Sequence, residues 1–307
     1  MSSRPCRGIS RERFLHSLRS VEMTMNMNIS IVIITYKEDL AVLRECFASV
    51  AALIGVDAEV FVVDNGGRDE TRSLLAEVLP NATYMPNPNN RGFAAAVNQG
   101  MRKATGEYVL LLNPDTMLPP TTLENMVAHM DADTDVGIGS CIIRYPDGTL
   151  QESIRRFPTF VDQLIILFKL PHVFPRLVDT YMMRDVDQTA TQNVDSIMGA
   201  FMMIRRSVID RIGYFDERYF IWFEEVDYCK MARKVGFGIR SYGDCTVVHH
   251  KGHMFNQLAT IRKQKWIRQS MRKYFRKHHG IPSWLVLVLL APLFIALAYL
   301  AALVKRK

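Results

Sequence analysis

An aspartate at the end of an apolar run is the first candidate for chemistry. Asp115 closes the segment 111–115 (Leu-Leu-Asn-Pro-Asp), and its carboxylate could hold a divalent cation that in turn holds a diphosphate. Such oxygen ligands suit Mg²⁺ or Mn²⁺. The sequence contains neither GxGxxG nor GxxxxGK[ST], which are the usual motifs of dinucleotide-binding and P-loop proteins. It therefore gives no motif support for either class. The alternative for Asp115 is a structural role as a helix N-cap or turn residue.

The segment 224–227 (Glu-Glu-Val-Asp) is a second acidic cluster. At the start of a predicted helix, Glu224 and Asp227 would share one face, with Glu225 offset from it. Aromatic side chains at 219–223 can raise the pKa of a nearby carboxyl and make it a usable general base. The alternative is a solvated first turn whose acids only stabilise the helix dipole.

Histidines form a third candidate group. His249, His250 and His253 lie together, and His249 or His250 at a strand end could ligate the metal or touch a diphosphate. The alternative is a polar strand end without a ligand. His278 and His279 belong to a basic stretch and are expected at a membrane surface instead.

Short apolar runs alternate with helical periodicity in the first half of the chain. The predicted elements are strand 29–35, helix 40–53, strand 59–64, helix 69–78, strand 83–85, helix 93–104 and strand 107–112. This alternation predicts an α/β protein with a doubly wound, mostly parallel central sheet. Ligands of such sheets bind beyond the carboxyl ends of the strands, where this sequence places Thr35, Asp64 and Asp115.

The second half is less regular. Residues 141–190 contain several prolines and are interpreted as a variable insertion, followed by a strand over 194–205. A helix over 224–235 and a last strand over 246–250 complete the predicted body.

The 307-residue chain has a formal net charge of +7, but its basic residues are concentrated in 262–277 and at the two ends. The body between them is acidic, which argues against a nucleic-acid partner because a basic patch on the folded domain would be expected. Five cysteines without a CxxC pair argue against a disulfide framework and fit a reducing compartment.

Residues 281–304 are 24 residues without a charge, which is long enough to cross a bilayer. They predict a C-terminal apolar membrane helix, preceded by a basic membrane-proximal segment at 261–280 that would favour anionic lipid. Pro282 and Pro292 also allow a kinked or re-entrant arrangement, and a buried C-terminal helix is the alternative. The positive-inside bias places the body on the cytoplasmic face. Residues 1–27 are predicted to be a disordered leader.

Seven segments, taken in order, resemble the inverting family-two glycosyltransferases of GT-A fold, and among them a bacterial rhamnosyltransferase-like branch. They are 30–36, 62–66, 90–94, 106–116, 199–200, 213–217 and 222–227, within about residues 28–255. The resemblance implies a nucleotide-sugar-binding half at 28–135 and an acceptor-binding, catalytic half at 136–260.

The resemblance implies a donor site at the carboxyl edge of the sheet. The implied donor-binding residues are Thr35, Tyr36, Glu38, Asp64, Asn65, Arg91, Gly92, Asn113, Asp115, Gly199 and Ala200. Asp64 would contact the nucleobase, and Asp115 would bind the metal as the acid of a DxD-like motif in which Asn113 replaces the first acid. His249 is the second candidate metal ligand.

The resemblance makes Glu225 the base that deprotonates the acceptor hydroxyl for an in-line attack with inversion. The wider family has a Glu-Asp pair at this position, whereas this chain has Glu-Glu, so Asp227 and Glu224 remain rival or supporting acids. The implied segment after the last strand, at 252–254, departs from the family's Gly-x-Ser pattern.

The expected function is transfer of a sugar, with rhamnose from a dTDP donor as first candidate, to a saccharide or lipid-linked acceptor in cell-surface polysaccharide synthesis. The expected location is the cytoplasmic face of a bacterial membrane. One alternative is a UDP-sugar donor, such as a galactofuranosyl or N-acetylhexosaminyl donor. A second alternative is a non-catalytic membrane scaffold on the same fold.

Overall fold

The structure, a computed structural model, describes residues 28–250 and 260–304, with side-chain positions for 29–250 and 264–297. The predicted leader at 1–27 and the segment around His253 lie outside the described residues.

Four parallel strands form the first half of the central sheet, in the spatial order β3-β2-β1-β4. The elements are β1 (Asn28–Thr35), α1 (Leu40–Ala51), β2 (Asp57–Asp64), α2 (Asp69–Val78), β3 (Thr83–Pro86), α3 (Phe93–Met101) and β4 (Tyr108–Leu112). Strand β1 is buried on both faces, with Ile31 and Ile33 in one core and Val32 and Ile34 in the other. A strand covered on both sides needs an uninterrupted apolar run, which explains the sequence of β1.

The second half extends the same sheet in the order β4-β10-β6-β11-β5, and β8 pairs with β11. The elements are β5 (Thr116–Met117), α4 (Thr122–Ala132), β6 (Val136–Arg144), β7 (Ile154–Arg155), α5 (Phe160–Leu167), β8 (Gln192–Asn193), β9 (Ser196–Ile197), β10 (Phe201–Arg205), α6 (Arg206–Ile212), α7 (Glu224–Lys234) and β11 (Gly238–His249). Strands β5, β8 and β10 run against the other six, so the sheet is mixed but mostly parallel. Strands β7 and β9 form a separate small sheet.

Two features of the second half differ from the sequence prediction. Strand β6 is a fully integrated central strand, although the sequence assigns residues from 141 onward to a variable insertion. The predicted strand over 194–205 is divided into β9, which pairs with β7 in the small sheet, and β10, which joins the central sheet.

The C-terminal segment forms three helices, α8 (Thr260–His278), α9 (Gly280–Leu289) and α10 (Ala291–Val304). The apolar helix predicted over 281–304 is thus divided in two, with a bend of 50° between α9 and Ala291–Leu297. Pro292 explains the break, since it has no N–H for the carbonyl four residues earlier. Among the described residues no single helix has the length and apolar character to cross a membrane; the bent pair satisfies both by length and composition alone.

Helix α8 packs against the body. Tyr274 and Phe275 of α8 share a buried cluster with Tyr219 and Phe223, and the Ser270 hydroxyl donates to the carbonyl of Ile221 at 2.8 Å. The prediction that His278 lies at a membrane surface is wrong, because its side chain is only 1% exposed. The basic segment therefore contributes side chains to the folded body as well as to its surface.

Candidate active site

The polar residues that follow the parallel strands meet at one edge of the sheet. Thr35 ends β1, Asp64 ends β2, Asp115 follows β4 and His249 ends β11. All four side chains are buried. The doubly wound topology brings these strand ends together, although the residues are far apart in sequence.

Asp115 and His249 form the closest pair at this edge. The His249 Nε2 lies 3.0 Å from Asp115 Oδ1 and 3.3 Å from the amide nitrogen of Asn113, while its Nδ1 lies 2.6 Å from Gln151 Oε1. If the Gln151 oxygen accepts from Nδ1–H, the Nε2 lone pair points toward the carboxylate. A proton or a cation between two such atoms relieves their repulsion, so the oxygen and nitrogen atoms fit a divalent metal ligand pair.

The backbone of Ala200 forms hydrogen bonds to the loop that contains Asn113 and Asp115. Its carbonyl oxygen accepts from the backbone N–H of Asn113 at 3.0 Å and from the Thr116 hydroxyl at 3.4 Å. Gly199 precedes it, and a side chain there would meet the ring of Phe93 at 3.8 Å. In this structure Gly199 and Ala200 shape the site through their backbone.

Asp64 holds the loop after β2. Its two oxygens accept from the backbone N–H groups of Gly66, Gly67 and Arg68 at 2.7–3.0 Å, and from the Tyr84 hydroxyl at 2.8 Å. A carboxylate can accept about four hydrogen bonds, so these four donors use the full hydrogen-bonding capacity of Asp64. No sequence pattern indicates the role of Tyr84.

A pocket lies beside this loop, between the carboxyl end of β1 and helix α8. It is lined by Ile34, Tyr36, Asn65, Asn90, Gly92, Phe93, Phe220, Ile221 and Trp266. Gly92 has a φ of 86°, and the Phe220 carbonyl accepts from the N–H of Phe93 at 2.7 Å. The ring centroids of Phe220 and Trp266 are 4.6 Å apart, and both residues line the pocket. Arg91 is exposed next to the pocket.

Glu38 is a buried acid at the same edge. Its Oε2 accepts from the backbone N–H of Tyr36 at 2.6 Å, whereas Oε1 is buried and has no hydrogen-bond partner within residues 28–250 and 260–304. Burial is the main cause that raises the pKa of Glu38 to about 7, and the negative charges of Asp115 and Asp64 add to it. The buried Thr35 hydroxyl also lacks a partner among the described residues.

The second acidic cluster begins helix α7 after two strained residues. Trp222 and Phe223 have φ values of 64° and 69°, a region that non-glycine residues rarely adopt and that is enriched at functional sites. Glu224 is buried and Glu225 is half-buried, and one carboxylate oxygen of each is buried with no hydrogen-bond partner in the part of the chain that the structure describes.

Burial raises the pKa of Glu225 to about 7, against smaller opposing effects of backbone hydrogen bonding and the positive charge of Arg155. Burial, followed by the charge of Glu225, raises the pKa of Glu224 well above its ordinary value. A carboxyl with a pKa near neutrality and an oxygen without a partner is suited to accept a proton.

Asp227 has a different environment. Its oxygens lie 2.7 Å from Lys277 Nζ and 2.6 Å from His278 Nε2, both on helix α8, and the Tyr219 hydroxyl is 3.4 Å away. These contacts place Asp227 at the attachment of α8 to α7, whereas Glu225 keeps an oxygen that no described residue contacts by a hydrogen bond.

Residues 30–213 match glycosyl transferase family 2. The chain belongs to this family.

Among the family's characterised members, the N-acetylglucosaminyl-diphospho-decaprenol L-rhamnosyltransferase of Mycobacterium tuberculosis is 26% identical over 223 residues, covering 69% of this chain and 72% of that protein. The rhamnosyltransferase WbbL of Escherichia coli is 25% identical over 190 residues, covering 62% and 69%. This chain is therefore similar to two rhamnosyltransferases.

Solved structures show the same fold. The mannosyltransferase of Pyrobaculum calidifontis, in complex with GDP-Man and Mn²⁺, has a TM-score of 0.56 and 21% identity, covering 96% of this chain and 83% of that one. Staphylococcus aureus TarS, in complex with UDP-GlcNAc, has a TM-score of 0.55 and 18% identity, covering 81% and 65%. The central sheet is consistent with the GT-A fold that the sequence predicts.

The family's motifs did not reveal three of the residues at this edge. Gln151 and Arg155 lie within the segment interpreted as an insertion, and Trp266 lies in the basic stretch interpreted as membrane-proximal. None has a sequence pattern that indicates its contact with the site; only the fold brings it there.

Proposed function

We propose that this glycosyltransferase moves rhamnose from a dTDP donor to a lipid-linked saccharide, with inversion, in cell-surface polysaccharide synthesis. Two rhamnosyltransferases among its relatives support the choice of sugar, and one of them is named for a decaprenol-linked acceptor. The observation that carries the proposal is the Asp115–His249 pair, which Gln151 orients at the carboxyl edge of the sheet.

In this proposal the donor occupies the carboxyl edge of the sheet. The nucleobase enters the pocket between Tyr36 and Trp266, and the exposed Arg91 is free to reach the donor phosphates. The contact of Asp64 with the nucleobase stays a prediction; four protein donors already bond to its oxygens and hold the adjoining loop. Thr35 and Glu38 each offer the donor a buried oxygen that has no hydrogen-bond partner among the described residues.

Asp115 and His249 would hold Mg²⁺ or Mn²⁺, with Asn113 beside them. When bound, the cation supplies positive charge for the leaving diphosphate. Gln151 fixes the orientation of the imidazole, as outer hydrogen-bond partners of metal-binding histidines commonly do.

Glu225 is the proposed base. It removes the proton from the acceptor hydroxyl while the hydroxyl oxygen forms its bond to the anomeric carbon, on the face opposite the breaking bond to the diphosphate. The proton ends on Glu225 and the bonding electrons leave with the diphosphate oxygen. Burial holds the pKa of Glu225 near 7, where a carboxylate is a stronger base than an exposed one.

The proposed location is the cytoplasmic face of a bacterial membrane, where a lipid-linked acceptor is embedded. The apolar helices α9 and α10 would attach the protein there, and the basic residues of α8 would favour anionic lipid.

Donor turnover by the purified full chain with Mn²⁺ tests the proposal. Release of nucleoside diphosphate should be fastest with dTDP-rhamnose, and Glu225→Gln should lower kcat by about 100-fold to 10,000-fold, because a general base commonly contributes that much. Asp115→Ala should abolish turnover, and Glu77→Gln, on an exposed ion pair with Arg44, should have no effect.

Unchanged turnover of Glu225→Gln would refute the role of Glu225 as the base. Turnover with UDP-sugars alone would favour the UDP-donor alternative, and no turnover with any sugar would favour a scaffold.

A further inference from the structure

Exposed apolar side chains are concentrated in two segments of the described chain. Eleven of the fifteen large hydrophobic residues that are exposed there lie in 161–177 or 281–295. In the first segment they include Val173 and Phe174, which are 69% and 59% exposed. Concentrated apolar exposure marks an interaction surface, whereas single exposed hydrophobics are ordinary.

The two segments form one surface although about a hundred residues separate them. The ring of Phe168, at the end of α5, lies 5.1 Å from that of Phe294 in α10, in the buried cluster that also contains Leu287. The exposed Leu293 and Ile295 flank Phe294 in sequence, and the exposed Leu170 follows Phe168 by two residues. We call the exposed residues of 170–177 and 281–295 the apolar face.

The charged side chains within the two segments that border the apolar face, 170–178 and 264–278, are basic, and Asp179, which follows the first segment, is paired with Arg184 at 3.3 Å. Residues 170–178 contain His172 and Arg176 and no acid, and both side chains are exposed. Residues 264–278 of α8 contain no acid either, and Lys265 and Arg276 are exposed there. Apolar side chains bordered by cations are complementary to an anionic bilayer, in which the cations contact headgroups and the apolar groups enter the acyl boundary.

We propose that the loop 170–177 is a second membrane-contacting element, which inserts Val173 and Phe174 into an anionic lipid surface beside α9 and α10. A second copy of this chain is a poorer occupant, because pairing two apolar faces would bring their bordering cations together. The proposal deepens the proposed function and rests on its membrane-embedded acceptor. Strand β7, which carries Arg155 near Glu225, leads into α5 and this loop, so the loop would hold the acceptor side of the site at the bilayer surface.

The test uses the full chain and vesicles of phosphatidylglycerol and phosphatidylethanolamine. The double variant Val173→Glu/Phe174→Glu should reduce partition into these vesicles by at least about tenfold, because two inserting apolar groups are replaced by anions. The matched control, Ile54→Glu/Val235→Glu, changes two exposed side chains outside the apolar face and should partition as the unaltered protein does. Circular dichroism and melting should show that both variants are folded.

Vesicle binding is measured without any donor, so its result is independent of the sugar, the metal and the role of Glu225. Unchanged binding of Val173→Glu/Phe174→Glu, together with lost binding of Leu285→Glu/Leu289→Glu, would overturn the proposal and leave the C-terminal helices as the attachment. A change of the variant from dimer to monomer in light scattering, with unchanged vesicle binding, would also overturn it and identify an interface between copies. Equal binding to phosphatidylcholine vesicles would refute the part of the proposal that concerns anionic lipid.

Discussion

Opposing effects set the basicity of Glu225. Burial removes water from its carboxylate and raises the pKa, whereas backbone hydrogen bonding and the positive charge of Arg155 lower it. Arg155 lies on β7 and donates to the carbonyl of Ile154 at 2.7 Å. The result is a pKa of about 7, so near neutral pH a large fraction of Glu225 is ionised and still basic.

Arg155→Gln should therefore move the acidic limb of the pH profile of kcat/KM to higher pH. Without the positive charge the pKa of Glu225 rises, and the base is protonated, hence inactive, over a wider range of acidic pH. The shift should be about one unit, since a nearby opposite charge changes a pKa by about 1–3 units.

The neighbouring Arg156→Gln is the matched control, because Arg156 pairs with Asp185 at 2.7 Å instead. It should leave the limb in place. An unmoved limb in Arg155→Gln, with the protein folded, would contradict this account of the pKa.

Among individual residues, the sequence predicts the site residues that directly follow strands. It does not predict the other residues that contact the site. Asp115 and His249 were identified because apolar runs precede them, and parallel topology brings strand ends together. Gln151 lies in the segment that the sequence assigns to a variable insertion, and Trp266 lies in the predicted basic membrane-proximal segment. Their contacts depend on tertiary packing, which local periodicity does not encode.

Between elements, the close approach of α3 to the segment before α7 depends on Gly92. Its φ of 86° is unfavourable for other residues, and a Cβ there would lie 2.7 Å from the carbonyl oxygen of Phe220. That oxygen also accepts from the N–H of Phe93, so the backbone has little room to move. The contact joins the pocket wall to the strained residues Trp222 and Phe223 ahead of the acidic cluster.

Gly92→Ala should destabilise the protein by more than about 1 kcal/mol and raise the KM for the donor, through backbone strain and a clash with the pocket wall. Gly148→Ala separates these causes, because Gly148 has a φ of 82° and a Cβ added there would meet nothing within 4 Å. Thermal melting of both variants would show the cost of strain alone in Gly148→Ala and the added clash in Gly92→Ala. Equal losses of stability, with an unchanged KM, would contradict a role for this approach in the pocket.

The positions of the helices and strands are easier to predict from the sequence than the way these elements pack together. The β-branched run of β1 and the helical spacing of α2 predicted their positions, because local pattern and tertiary burial agree there. The basic residues at 261–280 predict a membrane-proximal segment, most of which is helix α8. Lys277 and His278 instead face Asp227, a pairing between residues 50 or more positions apart that no local pattern reveals.

Across the whole molecule, the buried acids make stability depend on pH. The folded protein holds the pKa of Glu38 at about 7, compared with 4.5 for the free side chain. Between these values the unfolded chain binds fewer protons than the folded protein, so stability falls as pH rises through this range.

Glu38→Gln should remove that loss, since the amide keeps a hydrogen-bond acceptor for the N–H of Tyr36 and cannot ionise. We expect a gain in unfolding free energy of at most about 3 kcal/mol at pH 8 and little change at pH 4, measured by denaturant titration at both values. The exposed Glu70→Gln should show no such pH-dependent difference. A gain of the same size at both pH values would contradict the ionisation of Glu38 as its cause.

The contacts of Asp227 with Lys277 and His278 determine which C-terminal truncation keeps the charge of Asp227 compensated. A chain cut after residue 279 loses α9 and α10, and with them Leu287 and Phe294 of the buried cluster, but keeps Lys277 and His278 against the buried Asp227 carboxylate. A chain cut at residue 259 leaves that carboxylate uncompensated, which costs about 3–5 kcal/mol when a buried charge loses its partner, and also uncovers Tyr219 and Phe223. The shorter version would fail for reasons unrelated to lipid, so the longer one is suited to crystallisation and to separating catalysis from membrane attachment.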